Sequence, residues 1–411
     1  MTGSERHWGS ANNRLGKSAA FFILLFAAIG AHAQTETVLH NFTGGPDGAL
    51  PYAGLVMDRS GNLYGTTSAG GSTSCPGGCG TVFKLSLHGS SWILSTLYAF
   101  QGGADGQSPL APLLIASDGT LYGTTFAGGG ASCVTEFGNG CGTVFRLRPQ
   151  PNRCAAISCP WIETVLYRFS GGADGGNPDM GPLVLDTSGN LFGTTQIGGS
   201  AGAGTVFELT PSNGSWTETV IHSFSGSDGV YPQSGVVIDA AGNLYGTADS
   251  SDGTGSGGTV FQLSRSGQTW NLTVLHTFSG SNGDPVAGLT FDAHGNLYSV
   301  TANFKGDPGL VYQLGYSGQE WEYSPLTSIP FGVALTGLAI DAAGNLYGAL
   351  GDDVYKVTNS NGDWTFAVLY HFADGSFLNG VPLVDAQSDV YGTTLDGGSA
   401  RRGTVYKISQ P

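Results

Sequence analysis

Residues Gly61 to Thr67 read GNLYGTT, and six further stretches of the chain repeat this string or a close variant. The copies centre on Tyr64, Tyr122, Phe192, Tyr245, Tyr298, Tyr347 and Tyr391. They recur every roughly 45 to 70 residues, as expected of one supersecondary unit reused and buried only by its neighbours. Around the first copy lie four strand-like runs, Ala53–Asp58, Asn62–Thr67, Thr81–Ser86 and Trp92–Phe100. The third run recurs as TVFKL, TVFRL, TVFEL, TVFQL, LVYQL, DVYKV and TVYKI. Its fourth position (Lys84, Arg146, Glu208, Gln262, Gln313, Lys356, Lys407) is polar between apolar neighbours, the period-2 alternation of a strand with one buried face. Helical periodicity is absent after the first 33 residues, and the Gly, Pro and β-branched content opposes helix.

The joints between runs are equally regular. An Asp stands at the first-to-second turn in six of the seven units, as in Asp58-Arg59-Ser60-Gly61-Asn62 and Asp239-Ala240-Ala241-Gly242-Asn243. Asp accepts backbone N–H bonds and the following Gly takes positive φ, so this acid is a turn device and not a catalyst. Trp92, Trp161, Trp216, Trp270, Trp321 and Trp364 each precede Phe100, Phe169, Phe224, Phe278, Ile329 and Phe372 by the same interval, which suits packing between units. The position two before that Phe alternates between His and Tyr (His40, Tyr98, Tyr167, His222, His276, Tyr370), an amphipathic, half-buried place.

The chain ends decide how the units are joined. Glu36 to Phe42 (ETVLHNF) is a fourth-type strand with no unit before it, and the last unit stops after its third strand, Thr404–Ile408. The orphan fills the vacancy. The expectation is an all-β, seven-bladed β-propeller of four-stranded blades, closed by the N-terminal strand, as a single domain over residues 34–411.

The stretch from Gly171 to Leu209, which holds GGADG, GNLFGTT and GTVFEL, resembles the GloVer tandem repeat of exported bacterial proteins, the choice-of-anchor tandem repeat GloVer-containing family. The resemblance covers almost all of the chain after the leader and implies export and a repeat-built β domain. It supplies no reaction and no catalytic residues. The Asp-x-x-Gly-Asn-Leu-Tyr turn is also similar, more distantly, to that of NHL-type propellers, which implies binding in general.

Arg6, Arg14 and Lys17, the apolar run Ser18 to Gly30 and Ala31-His32-Ala33 together read as a signal peptide over residues 1–33, so the protein is expected to be secreted, extracellular or periplasmic. No later run is long enough to span a membrane. The formal net charge is −15, a field that repels nucleic acid and anionic lipid and favours a soluble monomer. All six cysteines fall close together in twos, Cys75 near Cys79, Cys133 near Cys141 and Cys154 near Cys159; in an exported chain they are expected to form disulfides, with fifteen pairings open. A four-thiolate zinc site from the first two pairs is the alternative.

In a propeller the loops from fourth to first strand share a face with those from second to third. The first set carries Asp47, Asp105, Asp174 and Asp228 in Asp-Gly turns, where calcium is conceivable but one acid per blade is a poor cage. The second set differs between blades, and Lys305, Asp307, Asp352, Asp353, Asp396, Arg401 and Arg402 concentrate charge on the rim of blades 5 to 7. That rim is the expected ligand-binding region. P-loop, HExxH, CxxC and nucleophile-elbow motifs are absent, so no catalytic, cofactor or metal residue is assigned. The expected function is a binding or scaffold module for an extracellular glycan or protein. The alternative is a polysaccharide hydrolase or lyase using Asp307, Asp352 and Asp353, which would need paired carboxyls across one cleft.

Overall fold

A computed structural model describes residues 34–150, 161–249, 257–279, 283–302, 308–330 and 337–410. The expected signal peptide, the Cys154–Cys159 pair, Lys305 and Asp307 lie outside these residues. Seven four-stranded antiparallel sheets follow one another along the chain, and six have their strands in simple sequence order. The seventh is composite: its inner three strands are Leu383–Val384, Val390–Thr394 and Thr404–Ser409, and its outer strand is Thr35–Asn41 from the other end of the chain. Thr35 opposes Ser409 and Asn41 opposes Thr404. The ring is therefore the seven-bladed propeller expected, closed by the N-terminal strand.

Within a blade the strands lengthen outwards. The first blade has Val56–Met57, Leu63–Thr67, Thr81–His88 and Ser91–Ala99, so its innermost strand is shorter than the sequence pattern suggests. The reason is the approach of neighbouring inner strands, where a Cβ on Gly54 would stand 2.5 Å from the Val381 carbonyl oxygen of the adjacent blade. The second strand is buried along its whole length. Its Gly is a packing requirement: a Cβ on Gly123 would stand 2.5 Å from the Phe145 ring of the third strand. GTT and TVF are thus two halves of one fit.

Blades are glued by aromatic contacts. Trp216 meets Tyr122 of the preceding blade edge-on at 6.3 Å, Trp270 meets Phe192 at 5.8 Å and Trp321 meets Tyr245 at 5.5 Å. The tryptophans are inter-blade packing, as the repeat implied. The turn acid also behaves as read. Asp58 accepts from the Ser60 and Asn62 backbone N–H groups (2.8 and 3.0 Å), from the Asn62 amide (2.7 Å) and from the Tyr64 hydroxyl (3.0 Å). Cys75 bonds to Cys79 and Cys133 to Cys141, which rules out the zinc alternative for these four.

Candidate functional site

Both loop sets emerge on one face, as shown by the bridges Ala49 to Ala69, Gln107 to Ala127, Gly176 to Ile197 and Val230 to Asp249, each tying a fourth-to-first loop to the second-to-third loop of the blade it enters. The fourth-to-first loops are anchored by proline. Pro109, Pro178 and Pro232 rest on Gly80, Gly142 and Gly204, the glycine before the third strand of the preceding blade, and Pro51 rests on Gly403 across the closure. A Cβ on any of these glycines would stand 2.4 to 2.6 Å from the proline Cδ. The residue before each proline is forced left-handed: Leu50, Ser108, Asn177 and Tyr231 have φ of 55, 54, 53 and 49°. Such backbone costs of the order of 1 kcal/mol or more per residue outside glycine and persists only where its surroundings impose it. Its consequence is positional: two of the residues after these prolines, Tyr52 and Leu110, line the space on the ring axis.

Those post-proline residues differ from blade to blade: Tyr52, Leu110, Asp179 and Gln233. A cavity of about 260 Å³ runs along the axis, with Tyr52, Leu110, Met180 and Asn379 at its loop-face end and Val56, Val237 and Thr290 deeper. Its wall is contributed by residues of all seven blades, at or just before their inner strands, and is mainly apolar. The long loop of blade 2 reaches over the mouth as a small hairpin, Val134–Thr135 with Gly138–Asn139. Phe137 at its tip meets Tyr52 at 5.9 Å and Phe126 at 5.3 Å. The Phe137 carbonyl accepts from the Gln107 amide (2.8 Å) and the Ser108 hydroxyl (3.0 Å), and the Cys133–Cys141 disulfide closes the hairpin's base.

Two acids face this mouth. Burial, and then the nearby Glu136 carboxylate, push the Asp179 carboxyl up to about 7. Burial and the same two acids raise the Tyr52 phenol. Asn379 is buried and places its amide 3.9 Å from the Met180 sulfur. A carboxyl poised near neutrality, beside an apolar cavity and an aromatic edge, can donate or accept a hydrogen bond as its partner demands.

The rim read from the sequence is distributed differently. Asp352 and Asp353 meet His371, whose Nδ1 lies 2.8 Å from Asp353 Oδ1 and 3.8 Å from Asp352 Oδ1. Among the described residues this is the one trio of potential metal ligands within 4.8 Å of one another, and its His371 is exposed. Asp396 accepts from the Phe377 backbone N–H (2.7 Å) and so shapes a loop. Arg401 and Arg402 are exposed, with Arg402 lying along Gly44. The Asp-Gly acids serve their own loops: Asp47 accepts from the Thr43 backbone N–H (2.9 Å) and pairs with His40 (3.2 Å), and Asp174 accepts from the Ser170 N–H (2.8 Å) and hydroxyl.

The profile of the Gloeobacter/Verrucomicrobia repeat matches residues 25–157 and again 134–353. The chain belongs to that repeat family. No curated protein sequence matches this member of the Gloeobacter/Verrucomicrobia repeat family. Its fold is similar to that of a fungal alcohol oxidase of the AA5 family solved with copper, at 14% identity and TM-score 0.57, over 92% of this chain and 76% of the oxidase. It is similar to PorZ, a surface component of the type-IX secretion system of Porphyromonas gingivalis, at 14% identity and TM-score 0.52, over 86% of this chain and 46% of PorZ. A Bacteroides uniformis protein assigned as a 6-phosphogluconolactonase matches at 15% identity and TM-score 0.51, over 80% of this chain and 86% of that one. At such identities the likeness is one of fold alone.

Tyr52, Glu136, Asp179 and Asn379 lie apart from the charged rim of blades 5 to 7 to which the sequence pointed. For Tyr52 and Asp179 the available signal was a position fixed by the preceding proline yet filled differently from blade to blade.

Proposed function

We propose that this Gloeobacter/Verrucomicrobia repeat protein is an exported, monomeric binding module that takes an extracellular glycan at the channel mouth of the loop-bearing face. The supporting observation is the axial cavity of about 260 Å³ with Tyr52 at its mouth, beside which Phe137, Asp179 and Glu136 stand. Aromatic faces carry the apolar side of a sugar ring, while carboxyl and amide groups meet its hydroxyls. The cavity lies just below the usual pocket range of about 300 to 1,000 Å³, so it would admit one ring at the end of a chain. Two disulfides on the same face stiffen the loops and accord with an oxidising compartment.

A polysaccharide and oligosaccharide binding screen on residues 34–411, followed by calorimetry and product analysis, tests this. Tyr52→Ala and Asp179→Asn are each expected to weaken binding at least tenfold, about 1.4 kcal/mol, without loss of fold. Glycan binding that survives both substitutions would place the ligand elsewhere. A second reading, a protein partner, is favoured by the exposed Val134 (81%), Tyr231 (43%) and Phe377 (43%) on the same face. It predicts that binding is lost on Val134→Asp and Phe377→Asp while Asp179→Asn is silent.

A further inference from the structure

The seams between blades repeat one constellation whose members change together. Three positions contribute: the His or Tyr near the end of an outer strand, the Asp of the loop that follows it, and a residue on the next outer strand. That last residue is fixed by register, since Leu94, Glu163, Glu218, Leu272 and Glu36 oppose Leu85, Leu147, Leu209, Leu263 and Ile408 at equivalent places. Where the first position is His, the third is not an acid. His40 lies 3.2 Å from Asp47 and His222 lies 2.7 Å from Asp228, and the next blades supply Leu94 and Leu272. Where the first position is Tyr, the third is Glu. The Tyr98 hydroxyl donates to Asp105 (2.9 Å) and Tyr167 donates to Asp174 (3.0 Å), and the next blades supply Glu163 and Glu218. The closing seam obeys the rule, with the Tyr370 hydroxyl 3.4 Å from Glu36 and Asp374 close by. His276 fits from the other side, stacking on Tyr323 at 3.9 Å where no Glu is present.

Chemistry accounts for the pairing. An imidazole can become a cation and neutralise its Asp, whereas a phenol donates one bond and leaves the charge in place. Setting a second carboxyl beside such an Asp is unfavourable if both are ionised. Among the described residues, Asp105 Oδ1, Glu163 Oε1 and Glu218 Oε1 are nevertheless buried without a hydrogen-bond partner. A buried acceptor without a donor is costly, and the missing donor can be a proton carried by one of the two carboxyls.

We propose that the Tyr98–Asp105–Glu163 and Tyr167–Asp174–Glu218 seams each hold one proton on their carboxyl pair as neutrality is approached from the acid side, so that Glu163 and Glu218 enter the ring as acids and the ring tightens in acidic surroundings. The groups around each carboxyl agree. Burial and then Asp105 push Glu163 up to about 7, with Arg168 opposing, while Tyr98 shares the same Asp. Burial and Asp174 do the same to Glu218, beside Tyr167. Burial, outweighing the Tyr370 hydroxyl, and Asp374 raise Glu36, which also faces the buried Tyr406. A raised carboxyl pKa contributes stability fully present below the ordinary value of 4.5 and lost as pH rises through the folded value, about 7 for Glu163 and Glu218.

The test is thermal melting between pH 5 and pH 9 of the full domain, of the E163Q/E218Q variant, and of E320Q/E322Q, which removes two exposed acids. Glutamine supplies the donor permanently. The parent Tm should fall by several degrees between pH 6 and pH 8, E163Q/E218Q should hold its Tm and exceed the parent at pH 8 by about 3 °C or more, and E320Q/E322Q should follow the parent. If E163Q/E218Q follows E320Q/E322Q, or if a chelator and not pH lowers the Tm, the shared proton is refuted. A carboxyl ¹³C titration of the unmutated domain decides independently of any variant: two or more Glu resonances should titrate near pH 7, and all of them moving at pH 4 to 5 would overturn the proposal.

Discussion

Tying the clasp covalently gives the sharpest measure of ring closure. Thr35 and Ser409 are opposed residues of the composite blade, at the ends of the first and last strands. Opposed residues of an antiparallel pair have Cα atoms about 4.5 to 5.5 Å apart, within the range a disulfide spans. The variant T35C/S409C would close a loop of roughly 370 residues, for which the chain-entropy relation gives about 6 kcal/mol of relative stabilisation. With an unfolding entropy of about 2.1 cal/mol/K per residue, a domain of this size gains about 7 °C in Tm. Differential scanning calorimetry of oxidised T35C/S409C against the parent, both without reductant so that the native disulfides persist, reads this directly. The single variant T35C serves as control. Cross-linking that fails in the folded protein, or an oxidised variant melting within about 2 °C of the parent, would refute closure by these two strands.

Gly123→Ala should destabilise by about 1 to 3 kcal/mol because the new methyl meets the Phe145 ring, whereas Gly315→Ala, where the nearest atom is 3.7 Å away, should change the Tm little. Chemical denaturation of the two variants checks the contrast. Stability should also pass through a maximum between about pH 4 and pH 6. On its acid side, Asp58, Asp292 and Asp341 are held below the usual carboxylate range, since their Asn, backbone and Tyr donors outweigh burial, so their contribution is lost as pH falls through the folded values. On its alkaline side Glu163 and Glu218 lose theirs; full conversion would be about 3 kcal/mol each, and solvent screening reduces it to about 1 to 2. Melting temperature across pH 3 to 9 reports both limbs.

Much of the fold was legible because each blade rewrites the same local instructions. The Asp58 turn, the Gly65 and Phe83 fit and the Trp ruler are short-range features, and seven copies average out ambiguity at any one. The innermost strand was read too long, since Val56–Met57 is trimmed by a neighbouring blade that no local pattern describes. The alternation of His with Tyr was visible, but its meaning waited on Leu94, Glu163 and Glu218 arriving from the next unit. On the charged rim, only the structure shows that Asp352 and Asp353 meet His371 and that Asp396 accepts from the Phe377 backbone.

The linear order of residues specified seven blades and the identity of the closing strand, because both follow from strand periodicity and the count of runs, whereas the pairing of Cys75 with Cys79 and of Cys133 with Cys141 came from the structure. Tertiary structure alone decided where the proposed ligand would have room. Tyr52, Glu136, Asp179 and Asn379 come from four different places along the chain and meet only because the ring gathers its loops around one axis. A repeat encodes what its copies share, and a binding site on a ring is made of what they do not.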